Sequence, residues 1–213
     1  MEPHTGVSTV CKKCGRHYDL AAAIHPAKKS EAREPKKRRI TCFECGAELE
    51  VSLSAQSTMC KRCSRYIDLK DYTIANAVSK NFKTKGSFTI EPHGYVFNTE
   101  VVATDAVIKG RFLGKLTAGR SLTIHSTAEI KGTFKTKMLI IPAANHFRWK
   151  EPIRAANAEI AGELAADVHV DGTMTLKSTA IFFGDIEATN LVVEDGAVMV
   201  GRLRIGVNPQ NLL

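Results

Sequence analysis

Cysteine is the residue type whose spacing in this sequence predicts specific chemistry. All six cysteines of the 213-residue chain stand in C-x-x-C pairs, and the second and third pairs are Cys42/Cys45 and Cys60/Cys63. Two thiolates separated by two residues on a tight turn can reach one tetrahedral ion at about 2.3 Å each. Two such pairs complete a four-sulfur shell, and this spacing predicts a zinc ribbon.

The residues around these four cysteines suit a ribbon. Gly46 is placed to complete the turn of the first knuckle, and residues 40–41 and 48–51 suit short strands. The alternatives are disulfides, which are unexpected without a secretory signal, and a redox pair, which needs a βαβ unit that the sequence lacks. Because a closed four-cysteine shell leaves no position for a substrate, we expect the zinc to be structural.

The first pair, Cys11/Cys14, lacks a second pair of its own. Residues 8–20 align with residues 57–69 at an offset of 49, and eight of the 13 positions are identical. The first segment therefore resembles the second knuckle of another ribbon. Either the true start lies upstream of Met1, or a histidine completes a metal shell with Cys11 and Cys14. The candidate histidines are His4, His17 and His25.

Charge divides the chain into two regions. Residues 1–85 hold 17 Lys and Arg against 9 Asp and Glu, whereas residues 86–213 hold 13 of each. The basic segment 28–39 has no hydrophobic periodicity and is interpreted as a mobile linker. It is either simply solvated or a contact for the phosphates of nucleic acid or of an anionic membrane surface.

The region after about residue 88 consists of short alternating apolar segments with β-branched residues and frequent glycines, which predicts many short strands. A shift of 52 residues superimposes similar residues, among them Ala106 on Ala158, Ile108 on Ile160, Leu122 on Met174 and Gly132 on Gly184. Solenoid coils of about 17 to 18 residues, three to each long repeat, would produce the self-match. A flat antiparallel sandwich gives no reason for it, and the six-residue period of left-handed hexapeptide β-helices is absent.

A parallel β-helix predicts which side chains fill the tube, because alternate residues point inward and like residues stack in columns. The residues expected inside are Ile108, Phe112, Leu116, Leu122, Ile124, Ile130, Phe134, Leu139 and Ile141. Glycines are expected at corners or where no side chain fits. These glycines are Gly110, Gly132, Gly162, Gly184 and Gly201.

Residues 101–206 resemble the bactofilin domain, a polymer-forming bacterial cytoskeletal fold. The resemblance is carried by repeated segments such as 106–110, 128–132, 158–164 and 183–197. It implies an all-β fold: a right-handed, three-sided parallel β-helix, here preceded by a small zinc ribbon. It also implies end-to-end polymerisation without nucleotide, head to head and tail to tail.

These observations predict five segments along the chain. They are a partial zinc knuckle and basic linker (1–39), a four-cysteine ribbon (40–72), a linker (73–86), a bactofilin-like β-helix (87–206) and a C-terminal tail (207–213). The tail is too short for a substantial cap, and exposed strand edges pair readily with another chain. We therefore expect the last coil to form a polymer interface. Its candidate residues are Val198, Val200, Leu203 and Ile205.

The sequence contains no catalytic motif, and the nearest pair of acids, Asp167 and Asp171, is interpreted as flanking a turn. We expect a non-enzyme without a small-molecule substrate. One hypothesis is a self-polymerising scaffold whose ribbon recruits or anchors a protein partner. The other is a multimeric nucleic-acid-binding adaptor that uses the ribbon and basic linker. The absence of a signal peptide and of a long apolar run predicts a cytoplasmic protein, and the basic segment leaves membrane association open.

Overall fold

The computed structural model describes residues 8–19, 36–150 and 152–206. The chain divides into two compact units, Met1–Lys36 and Lys37–Leu213. In the first unit, β1 (Ser8–Val10) and β2 (His17–Asp19) form an antiparallel hairpin. All elements in the described residues are strands, and none of these residues forms a helix able to span a membrane.

Two short hairpins open the second unit and are here called the ribbon. β3 (Lys37–Thr41) pairs antiparallel with β4 (Glu48–Ser52), and β5 (Ser57–Met59) pairs antiparallel with β6 (Tyr66–Asp68). The ribbon has a small core of its own. Its buried residues are Ile40, Cys42, Val51, Cys60, Ile67 and Leu69.

A parallel β-solenoid follows the ribbon, and its strands are rich in Val, Ile and Thr, which favour extended backbone. The strands are β7 (Tyr72–Ile74), β8 (Ala77–Val78), β9 (Phe82–Lys83), β10 (Ser87–Ile90), β11 (Tyr95–Ile108), β12 (Arg111–Ile124), β13 (Glu129–Ile141), β14 (His146–Arg148), β15 (Ile153–Ile160), β16 (Glu163–Ala165), β17 (Val168–Leu176), β18 (Ile181–Phe183), β19 (Ile186–Val193), β20 (Val198–Val200) and β21 (Leu203–Ile205). Every pairing among them is parallel. The prediction of an all-β parallel solenoid is confirmed.

The strand register explains the long self-match of the sequence. Ala106 pairs with Leu122, Leu122 with Leu139, and Leu139 with Ala158. These three steps along the stack connect Ala106 with Ala158, the same two residues that the sequence shift superimposes. Three coils therefore form the long repeat as predicted. The steps lengthen from the first to the third, so the individual coils are less uniform than expected.

A complete coil contributes three paired segments. In one coil these segments are β16 and the two halves of β17. β16 belongs to a four-stranded sheet with β14, β18 and β20. The halves of β17 are separated by a register shift between Val170 and Thr173. Three paired segments in a coil correspond to the three-sided β-helix that the resemblance implies.

The solenoid core consists of stacked apolar columns. Seven of the nine residues expected inside are buried, and the other two, Ile130 and Phe134, are partly buried against the same core. Both lie in the first part of β13, which pairs with β12, whereas β14 pairs with β16. The sheet is therefore interrupted on this side between β13 and β14, and Ile130 and Phe134 have less cover.

Residues 142–150, which include several bulky side chains, belong to this interruption. Phe147, in β14, is buried and stacks on Trp149 with ring centroids 5.9 Å apart. Trp149 also contacts Phe134, with centroids 5.5 Å apart. The aromatic side chains thus pack into the solenoid and fill the gap between β13 and β14.

Residues 73–86, interpreted from sequence as a linker, contain paired strands. β8 and β9 pair in parallel with β11, and β7 pairs in parallel with β10. Short strands with few apolar residues give little alternation to detect, so their sequence alone does not place them in the β-helix. The domain boundaries along the chain remain predictions.

Two stacked glycines show why some coil positions exclude a side chain. Gly132 pairs with Gly114 in the neighbouring coil and has a φ of 127°. A Cβ atom on Gly132 would collide with the carbonyl oxygen of Gly114. Gly119 lacks both constraints, because a Cβ atom there would lie 3.6 Å from its nearest neighbour, the carbonyl oxygen of Ala103.

We predict that Gly132→Ala destabilises the protein by roughly 2 kcal/mol or more, through backbone strain and the collision with Gly114. Gly119→Ala is the matched control and should change stability by about 0.5 kcal/mol or less. Chemical denaturation followed by circular dichroism measures both. Equal stabilities of the two variants would contradict the close stacking of the coils.

Candidate metal centre and exposed solenoid end

The two ribbon knuckles share one backbone geometry. The N–H of Cys42 donates to the carbonyl of Ala47, and the N–H of Gly46 donates to the carbonyl of Cys42. Cys60 and Ser64 repeat these bonds in the second knuckle. The turn requires a positive φ, which is 67° at Gly46 and 56° at Ser64. Gly46 therefore completes the first turn as predicted.

These turns bring the four predicted ligands together. The Sγ atoms of Cys42 and Cys63 are 3.6 Å apart, as are those of Cys45 and Cys60. All four Sγ atoms lie within 4.8 Å of one another. A zinc ion with four bonds of about 2.3 Å needs sulfur atoms about 3.8 Å apart, whereas a disulfide needs about 2.05 Å. The four cysteines are thus placed to hold a metal ion.

Hydrogen bonds and burial shift the pKa values of Cys42, Cys60 and Cys63 in different directions. The backbone N–H of Cys45 lowers the pKa of Cys42 to about 6, and that of Cys63 lowers the pKa of Cys60. The N–H of Arg65 favours ionisation of Cys63, but burial and hydrogen bonds from the other thiols outweigh it and raise the pKa of Cys63 to about 12. Metal binding would therefore displace at least one proton from the cluster.

The first pair, Cys11/Cys14, has the same knuckle geometry. The N–H of Cys11 donates to the carbonyl of Arg16, that of Gly15 donates to the carbonyl of Cys11, and Gly15 has a φ of 71°. Within the described residues, the only group of three or more potential metal ligands is the ribbon cluster. His4 and His25 lie outside the described residues, and metal binding by Cys11 and Cys14 remains a prediction.

The four predicted polymer-interface residues fall on two surfaces of the last coil. Leu203 and Ile205 pair with the buried residues Ile186 and Ala188, so they continue the inner columns to the C-terminal end of the solenoid. Val193 likewise pairs with the buried Leu176. Val193, Leu203 and Ile205 are all exposed, and they are here called the open end.

Val198 and Val200 belong to the outer wall. They pair with Ile181 and Phe183, which are also exposed, whereas Met199 between them packs against the core. Ile181 and Phe183 were not among the residues predicted for this patch. Counting the alternation through Phe182, the buried residue of β18, could have revealed them.

We predict that Cys60→Ser lowers zinc affinity roughly 100- to 1,000-fold. Losing one of four ligands removes about a quarter of the 10–16 kcal/mol typical of such sites. Ser57→Ala, an exposed position in the same ribbon, is the control and should keep the affinity of the unmodified chain. Competition with a chromogenic chelator measures both. Equal affinities would mean that the ribbon thiols do not hold the ion.

Comparison with known proteins identifies the solenoid. The chain matches the bactofilin family model, described as polymer-forming cytoskeletal, over residues 67–150 and 144–204. No curated protein and no solved structure matches the chain. The two overlapping matches together cover well over half of the sequence and include the solenoid strands from β7 onward except for Ile205, the last residue of β21. The chain therefore belongs to the bactofilin family.

Proposed function

We propose that this protein is a structural scaffold that assembles end to end without nucleotide, with the last coil of its solenoid forming one of the contacts. The single observation that carries the proposal is the open end, where the inner columns stop at exposed Val193, Leu203 and Ile205. Membership of a polymer-forming cytoskeletal family supports the same conclusion. The role is mechanical rather than catalytic.

Strand physics explains why such an end would associate. Within the described residues, no strand pairs with the outer edges of β20 and β21, so their N–H and C=O groups are available to another chain. A two-fold axis perpendicular to the solenoid would pair each terminal strand antiparallel with its own copy. The same axis would bring Leu203 and Ile205 of two copies together and remove their apolar surface from water.

The polymer interface proposed here comprises Val198, Val200, Leu203 and Ile205. The last two would form its centre, because they end the inner columns. Val198 and Val200 lie on the adjacent outer wall and would form its rim. A central apolar contact with a less buried rim is the usual arrangement of a protein interface.

We further propose that the metal held by the ribbon is zinc and that its role is structural. Four sulfur ligands suit Zn²⁺, and a closed shell leaves no position for a substrate. A metal-stabilised ribbon could also recruit or anchor a protein partner. Most of the basic segment 28–39 lies outside the described residues, so contact with nucleic acid or an anionic membrane surface remains a prediction, as does cytoplasmic localisation.

We predict that Leu203→Lys weakens self-association at least 100-fold. In a two-fold contact both copies would place the new ammonium group in a desolvated interface, at a cost of about 3 kcal/mol or more. Leu53→Lys is the matched control, because Leu53 is a similarly exposed leucine in the ribbon. Mass photometry of the full zinc-loaded chain over a concentration series provides the measurement.

The expected result is a folded monomer for Leu203→Lys and unchanged assemblies for Leu53→Lys. A circular dichroism spectrum equal to that of the unmodified chain excludes misfolding as the cause. Unchanged assemblies of Leu203→Lys would place the interface elsewhere and contradict the proposal.

A further inference from the structure

The two ends of the solenoid differ in how far their inner columns are covered. One column begins at Ile74 and ends at Val193, and these residues are 8% and 53% exposed. On another side of the tube, Phe82 in the first coil is 4% exposed, whereas Leu203 in the last coil is 46% exposed. Within the described residues, the inner columns are therefore covered at the N-terminal end and exposed at the C-terminal end.

On the β9 side of the N-terminal end, backbone groups are satisfied by the strand that leaves the ribbon. Asp68, the last residue of β6, forms a parallel bridge with Thr84. The N–H of Lys85 donates to the carbonyl of Asp68, and the hydroxyl of Thr84 donates to the carbonyl of Lys70 over 2.7 Å. Thr84 is fully buried by these contacts. The strand edge beside β9 is thus occupied by the chain itself.

The first metal knuckle of the ribbon contacts the same edge. Lys83 Nζ lies 2.7 Å from a carboxylate oxygen of Glu44. The ring of Phe43 lies beneath two ammonium groups, with its centroid 3.9 Å from Lys85 Nζ and 5.0 Å from Lys83 Nζ. Burial lowers the pKa of Lys85, as expected for an ammonium group held between two elements.

These contacts depend on the metal-binding turn. Phe43 and Glu44 lie between the predicted ligands Cys42 and Cys45, so the knuckle that wraps the ion also presents both side chains to β9. The ribbon core is small and includes Cys42 and Cys60. A domain with so small a core depends on its metal for folding free energy. Loss of the ion should therefore release Phe43 and Glu44 from the solenoid.

Building on the end-to-end assembly proposed above, we propose that the metal-loaded ribbon is a cap that keeps the N-terminal end of the solenoid closed to other copies. The capped chain associates through its open end and stops at a pair joined tail to tail. Release of the metal uncovers the edge of β9 and allows a second copy to bind there. Filaments then grow by alternating two contacts, one between two C-terminal ends and one between two N-terminal ends.

The test compares the full chain with one equivalent of zinc and after treatment with a chelator, using mass photometry and negative-stain electron microscopy. The zinc-loaded chain should have twice the monomer mass and form no filaments, and the chelated chain should form long filaments. Filaments of the zinc-loaded chain, or no increase in size after chelation, would overturn the cap. A zinc-loaded monomer would instead contradict the proposed end-to-end function.

A variant that keeps the metal separates uncapping from unfolding of the ribbon. Phe43→Ala combined with Glu44→Lys removes the ring beneath the lysines and repels Lys83, without changing a sulfur ligand. This variant should bind one zinc and still form filaments. Glu50→Lys is the control, because Glu50 is an exposed ribbon residue paired with Arg39 rather than with the solenoid. Glu50→Lys should remain a pair. If the double variant binds zinc and also remains a pair, the cap is overturned.

Adding Leu203→Lys to the Phe43→Ala, Glu44→Lys chain distinguishes ordered growth from aggregation. With the open end blocked and the cap removed, copies should associate only through their N-terminal ends and stop at two. Continued growth of this variant would show aggregation of the loosened ribbon and overturn the proposal.

Discussion

Coil-on-coil hydrogen bonding is the interaction on which the whole molecule depends. Each coil of a parallel β-helix pairs its backbone groups with the coils before and after it, and has no internal partner for them. The inner columns exist because this pairing places each residue over its counterpart, as with Ala106, Leu122, Leu139 and Ala158. The same constraint makes the two ends special, because there the pairing stops. At the N-terminal end the inner columns are covered, whereas at the C-terminal end the last residues of these columns are exposed.

The candidate metal centre lies in a part of the chain that has no stacked coils to stabilise it. The ribbon hairpins are too small to hold their geometry by apolar burial, so short strands and two positive-φ turns bring four sulfur atoms together instead. A closed thiolate shell is a strong local constraint that needs few residues. This arrangement lets a short segment be rigid enough to contact β9 and Lys85. The proposed cap would couple metal binding in the ribbon to strand pairing in the solenoid.

Repetition and local spacing made much of the fold predictable from the sequence. The long self-match predicted three coils, and the C-x-x-C pairs predicted the sulfur cluster, because both features are encoded in residue spacing. Ile130 and Phe134 proved only partly buried, since their cover depends on where β14 pairs. The contacts of Phe43 and Glu44 with Lys83 join distant parts of the sequence and leave no periodic signal. The opposite orientations of Val200 and Leu203 were also missed, although simple alternation places residues three apart on opposite faces.

The difference between the two ends is the central claim, and hydrogen–deuterium exchange measures it most directly. Exchange of the zinc-loaded full chain should be compared at concentrations below and above self-association. The account predicts slower exchange on association for amides of β20 and β21, and unchanged exchange at residues 82–86, which are already covered by the ribbon. Protection that appears at residues 82–86, or none in the last coil, would contradict it.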